Sequence, residues 1–94
     1  MAADFIWDTE KEAKNIIKHG ISFKTASLVF NDLNRFEIYD EKHSNGFEDR
    51  YITIGMVGDV ITVVYTMRFE SIRIISARPA AKKERELYYG DYAL

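Results

Sequence analysis

The 94 residues form one domain, and a chain this short buries roughly 60–65% of its unfolded surface around one modest core. A composition 47% hydrophobic and 14% aromatic excludes disorder, no apolar run reaches the ~18 residues of a membrane span, and the lack of cysteine excludes disulfides and thiolate chemistry. The net charge of −2 hides an asymmetry: residues 1–65 carry seven Lys or Arg against eleven Asp or Glu, whereas residues 66–86 carry six against three.

The basic part is where a polyanion is expected to bind, although a solvated sheet edge would give the same balance. Residues 1–10 contain Asp4, Asp8 and Glu10, with no basic start leading into an apolar block. The expectation is a cytoplasmic chain with no membrane partner.

Phe5-Ile6-Trp7 is a short apolar run that reads as an edge strand or a strap on the core. Asp8 or Thr9 then caps a first helix, and Thr9 with Glu12 fits the reciprocal capping pattern. Ala13, Ile16 and Ile17 recur at helical spacing, and Gly20 supplies a left-handed stop. Ser22 caps a second, shorter helix with the apolar stripe Phe23, Ala26, Val29 and Phe30. Asn31-Asp32-Leu33-Asn34 ends it as a turn.

Strand patterns follow. Residues 35–41 alternate Phe36 and Ile38 with charged residues, and 42–49 form a polar loop around Asn45-Gly46. Residues 50–57 and 60–68 are rich in β-branched side chains and meet in a tight hairpin at Gly58. After a short turn at 69–71, residues 72–78 form a fourth strand. Pro79 ends that strand and opens a terminal helix over 80–89. The order predicts a single α+β domain over 1–94: two N-terminal helices, a four-stranded antiparallel sheet and a C-terminal helix. One sheet face is covered by helices and the other is left partly open as a binding surface.

The residues able to do chemistry are few. Strict alternation puts Arg68 on a face with Thr66, Val64 and Thr62, and Arg78 on a face with Ser76, Ile74 and Ile72. Arg73 then belongs to the face opposite Arg78. Guanidiniums on a sheet can grip phosphate bidentately, or can pair with acids such as Glu48, Asp49 or Glu70. His19, in the last turn of the first helix, can carry protons or simply bond the final carbonyls. His43 reads as an ordinary surface residue. Glu48, ahead of Arg50, can act as a general base or orient an arginine. Tyr88, Tyr89 and Tyr92 can stack on bases but more naturally cap the core. There is no glycine-rich phosphate loop, no carboxylate triplet and no zinc set, so neither cofactor nor metal is expected.

An ordered set of these residues resembles the BrnT family of toxins from bacterial type II toxin–antitoxin pairs. It runs through Phe5-Ile6-Trp7-Asp8, Asn15, Lys18-His19-Gly20-Ile21-Ser22-Phe23, Ala26, Phe30, Asp32, Glu48, Arg50 and Gly55. It continues through Val63-Val64-Tyr65-Thr66, Arg68, Arg73-Ile74-Ile75-Ser76-Ala77-Arg78, Ala80, Glu84-Arg85 and Tyr88. The resemblance implies a RelE-like ribonuclease fold, an RNA substrate and growth arrest. It also implies neutralisation by a cognate antitoxin with a ribbon-helix-helix DNA-binding region, operator DNA being met only through that antitoxin. Carried over by position, it marks Lys18, His19, Glu48, Arg50, Arg68, Arg73 and Arg78 as functional residues; the expectation placed on them is catalysis by His19, Glu48, Arg68 and Arg78 and substrate binding by Lys18, Arg50 and Arg73. Such a site cleaves RNA without a metal, because the 2′-hydroxyl is a built-in nucleophile. The competing reading is a non-catalytic interaction module or corepressor that acts through a partner protein, its arginines serving recognition. A direct DNA-binding repressor fits less well, since only 80–89 offers a basic helix face.

Overall fold

The computed structural model describes residues 4–90, so Tyr92 lies outside it. Its elements are β1 (Phe5–Ile6), α1 (Thr9–His19), α2 (Phe23–Ser27), a 3₁₀ turn (Leu28–Asn31), β2 (Phe36–Tyr39), β3 (Arg50–Val57), β4 (Asp59–Arg68), β5 (Ser71–Pro79) and α3 (Lys82–Tyr89). A second 3₁₀ turn, Glu41–His43, sits in the β2–β3 loop. No helix among the described residues is long and apolar enough to cross a membrane.

The α+β class holds, but the sheet has five strands and is mixed. Its order is β1-β5-β4-β3-β2, and β1 runs parallel to β5 with Phe5 beside Ile72 and Ile6 beside Arg73. The four-stranded antiparallel expectation covers β2–β5; the edge-strand reading of Phe5-Ile6-Trp7 holds for Phe5–Ile6, but its place in this sheet and its parallel pairing lie outside that expectation. Two residues carry no alternation from which to read a pairing partner.

Capping fixes the first helices. The Asp8 carboxylate accepts the N–H groups of Glu10 and Lys11 at 2.9 and 3.0 Å, and Gly20 ends α1 at φ 72°. The reciprocal Thr9–Glu12 box is not used. Glu12 instead accepts the Phe23 N–H at 2.8 Å, tying α1 to the start of α2. The expected apolar stripe of α1 points outward: Ile17 is 87% exposed and Ile16 44%. The sheet-facing side is polar and centres on Asn15, which is buried. Its carboxamide donates to the carbonyls of Ile21 and Ala77 and accepts the Ala77 N–H. β1 is too short to pair with that part of β5, and Asn15 supplies the missing hydrogen bonds.

The main core lies between α1, α2 and one sheet face: Phe23, Ala26, Val29, Ile61, Val63, Tyr65, Ile72, Ile74 and Ala77. Gly55 lets the 3₁₀ turn lie directly on β3, since a Cβ there would sit 2.7 Å from Val29 Cγ2. α3 covers one end of the second face, over Ile54, Val60 and Ala80 with Phe36, Ile52 and Tyr88. α3 starts at Lys82 and not at Pro79, because Pro79 still belongs to β5 and Ala81 is extended. The other end of the second face stays open.

Candidate functional site

The open face is read from the registers. Arg50 on β3 pairs with Thr66 on β4, which pairs with Arg73 on β5. Paired residues share a face, so Arg50 and Arg73 flank Thr66 about 10 Å apart at their Cα atoms. Arg68 lies two residues along β4 on that face, about 7 Å from the same row. Three arginines thus flank one buried threonine on a single face. Thr66 itself is spent inward, donating its hydroxyl to the carbonyl of Asp49.

Arg78 is on this face too, paired with Thr62. Strict alternation put Arg73 and Arg78 on opposite faces, and that expectation is corrected. Val64 pairs with Ser76 but Tyr65 pairs with Ile74, so Ile75 is an extra residue in β5. This bulge reverses the alternation between the two arginines. Ile72 and Ile74, expected beside Arg78, are buried on the opposite, helix-covered face.

Arg78 lies four residues further along β4 from the Arg50–Thr66–Arg73 row, about 13 Å away. Its guanidinium binds both oxygens of Glu84 at 2.7 and 2.8 Å, and the pair raises its pKa. Glu84 also accepts the Ala81 N–H at 2.7 Å. Burial pushes the Glu84 carboxyl up, but the hydrogen bonds from Arg78 and Ala81 outweigh it and hold it below the usual range. This pair fastens α3 to the end of β5.

Glu48 belongs to the three-arginine group. One of its oxygens accepts from Arg50 Nε at 3.1 Å and the other lies 3.9 Å from Arg68. It is 31% exposed in its side chain, so a ligand on the open face can reach it. Arg73 has no acid within ion-pair distance among the described residues. Asp8 feels its charge: the N–H groups of Lys11 and Glu10 lower that carboxyl, and Arg73 adds to them.

His19 and Lys18 stand apart. With Lys11, Lys14 and Asn15 they line a hollow of about 250 Å³ along the bare edge of β5, at Ile75 and Ser76. Ser76 pairs with Val64, so this hollow borders the open face about 7 Å beyond the arginine row. It lies on the far side of the sheet's edge from Glu48. Glu48 and His19 line separate hollows. His43 bonds Asp40 at 2.9 Å and lies in the β2–β3 loop. The Tyr88 hydroxyl donates to Asp32 at 2.6 Å, which makes it a core fastener. Among the described residues no three His, Cys, Asp or Glu side chains converge as metal ligands.

A larger hollow of about 350 Å³ opens on the helix side, lined by Phe30, Asp32, Leu33, Arg35 and Glu37. There Arg35 is already bound to Glu37 and Thr53 at 2.7 and 3.0 Å and lies over the Phe30 ring. That cluster is internally satisfied and carries no free cation.

Residues 7–84 match the family model described as the ribonuclease toxin BrnT of type II toxin–antitoxin systems. The fold is similar to the crystal structure of the Brucella abortus ribonuclease toxin BrnT. The TM-score is 0.67 at 27% identity, over 86% of this chain and all of that one. No curated protein matches the sequence.

Proposed function

The chain belongs to the BrnT family of ribonuclease toxins of type II toxin–antitoxin systems, and from that premise we propose that its open sheet face is a metal-independent endoribonuclease site. The observation that carries this reading is the placing of Arg50, Arg68 and Arg73 around Thr66, with Glu48 against two of them. Arginine side chains are long enough for Arg50 and Arg73 to hold the non-bridging oxygens of one phosphate between them.

Glu48 takes the proton of the 2′-hydroxyl as that oxygen attacks phosphorus. The P–O5′ bond then breaks, leaving a 2′,3′-cyclic phosphate on one fragment. Arg68 meets the charge developing on the departing 5′-oxygen, which takes its proton from water. Fixed cations in a preorganised site are the largest contribution to such a step. Lys18 and His19 meet the RNA backbone where it crosses the β5 edge, and Arg78 holds α3. The partner this implies is a cognate antitoxin with a ribbon-helix-helix region, through which operator DNA is met. The fold is RelE-like in this reading, growth arrest follows from the cleavage, and the site of action is the cytoplasm.

The test is cleavage of single-stranded RNA, with chelator present, by Glu48→Gln and by Arg50→Gln and Arg73→Gln, singly and together. Each arginine change lowers kcat about 10²-fold. RNA with a 2′-deoxy sugar at the mapped cleavage position stays intact. Wild-type rates from the folded double arginine variant would overturn the assignment.

A further inference from the structure

Two aromatic rings stand fully in solvent beside this cluster. Phe47 is 102% exposed and Phe69 97%. Phe47 directly precedes Glu48, and Phe69 directly follows Arg68. Both therefore sit at the end of the sheet where the arginine face terminates.

Neither position is slack. The Asn45 carboxamide oxygen accepts the N–H groups of Phe47 and Glu48 at 2.7 and 2.8 Å, and Asn45 N–H donates to the Glu48 carbonyl at 2.9 Å. This closed turn presents Phe47 over a hollow of about 150 Å³ at the end of the sheet, which it lines with Glu48 and Thr66 from the arginine face and with Asp49, Tyr51 and Met67 where the sheet turns to its helix-covered face. Phe69 stands in the β4–β5 turn at φ 57°, the one non-glycine residue with positive φ among the described residues. A bulky side chain is strained there, and glycine would be the natural occupant. An aromatic ring held outward against backbone strain and against water, next to a phosphate-binding cluster, points to a ligand that rewards it.

The geometry points to Phe47 and Phe69 as stacking platforms for unpaired RNA bases on either side of the reacting phosphate. This rests on the reading of the arginine face as the cleavage site and deepens it. The charge pattern selects the occupant: arginines hold the phosphate, and flat apolar rings at the rim fit bases that have left a helix. Stacking needs a π-face and not a particular base, so the pair favours single strands over duplexes without reading sequence. Glu70 and Asp49, beside these rings, disfavour a second phosphate at the rim and leave the bases as the part that docks.

The experiment uses Phe47→Leu and Phe69→Leu, which keep apolar bulk and remove the ring. Cleavage kinetics are measured on a single-stranded RNA. Binding is measured with the same oligonucleotide carrying a 2′-deoxy sugar at the mapped cleavage position. Each change raises KM and Kd about tenfold with kcat nearly unchanged. An abasic nucleotide beside the cleavage position weakens wild type by a similar factor and adds little in the matching variant. If both variants keep wild-type KM while Arg50→Gln and Arg73→Gln lose activity, the stacking role falls and the cleavage site stands. If the arginine variants also keep activity, the site itself falls. Unchanged RNA binding with loss of a co-expressed antitoxin would make the rings a protein-docking surface and overturn the proposal.

Discussion

The Glu84 carboxylate takes both terminal nitrogens of Arg78, at 2.7 and 2.8 Å, and so joins the last residues of β5 to the first turn of α3. Both terminal nitrogens of this arginine are committed to the carboxylate, which gives it a structural role in α3 docking. Arg78→Gln is expected to lower stability by about 1–2 kcal/mol, a modest figure because the guanidinium is partly exposed. The urea midpoint falls, while cleavage per folded molecule stays near wild type. A loss of turnover as large as that from Arg73→Gln would return Arg78 to the reaction.

α3 is fastened by a second carboxylate. Asp32 accepts from the Tyr88 hydroxyl at 2.6 Å and from the Met56 N–H at 2.9 Å, and these bonds hold its carboxyl below the usual range. The same bond pushes the Tyr88 hydroxyl up to about 12. Asp32 and Glu84 both titrate lower folded than unfolded, where the values are 3.8 and 4.5. The stability they contribute is complete above the unfolded values and lost as pH falls through the folded ones. α3 should therefore loosen from the sheet on the acid side of about pH 4, before the core between α1, α2 and the sheet. Hydrogen-exchange protection of residues 82–90, compared at pH 6 and pH 3, reads this directly. Asp32→Asn together with Glu84→Gln removes most of the difference.

Asn15 bonds both backbone groups of Ala77, donating to its carbonyl at 2.9 Å and accepting its N–H at 3.2 Å. Asn15 is 8% exposed and Ala77 fully buried, so water cannot replace these partners without opening the α1–β5 contact. Asn15→Ala strands a buried N–H and a carbonyl, which costs about 2–4 kcal/mol. Denaturant unfolding should show a lower midpoint with an unchanged slope. A change under 1 kcal/mol would mean that β5 satisfies its edge in another way.

These three cases also mark where the sequence is legible. Capping residues, Gly20, Gly58 and the β3–β4 hairpin are local, and each announces itself through backbone chemistry that one residue type favours. What failed is set by partners distant in sequence. Ile16 and Ile17 have helical spacing, yet α1 turns Asn15 to the sheet, because Ala77, 62 positions away, needs its carboxamide. The faces of Arg73 and Arg78 depend on the bulge at Ile75, which alternation cannot reveal in a run as uniformly apolar as Ile74-Ile75. Arg50, Arg68 and Arg73 are visible one by one as cations at strand ends, but their convergence on Thr66 requires the registers. Phe47 and Phe69 carry a readable signal, an aromatic placed within or beside a turn.

Phe69 offers the sharpest separation of stability from function. Its backbone lies at φ 57°, where an aromatic residue carries about 1–3 kcal/mol of strain. Its ring is 97% exposed, so removing it forfeits almost no burial. Phe69→Gly relieves the strain and gives back about 0.5–1 kcal/mol through the greater freedom of glycine in the unfolded chain. The balance is a gain of about 0.5–2 kcal/mol, seen as a rise of several degrees in Tm for a domain of this size. The same variant loses a platform for RNA, so its affinity for single strands falls as its Tm rises. Phe69→Leu keeps the strain and should gain no stability, which separates the backbone from the ring. A fall in Tm for Phe69→Gly would show that the turn needs the ring to hold its shape, and the ring would then be structural.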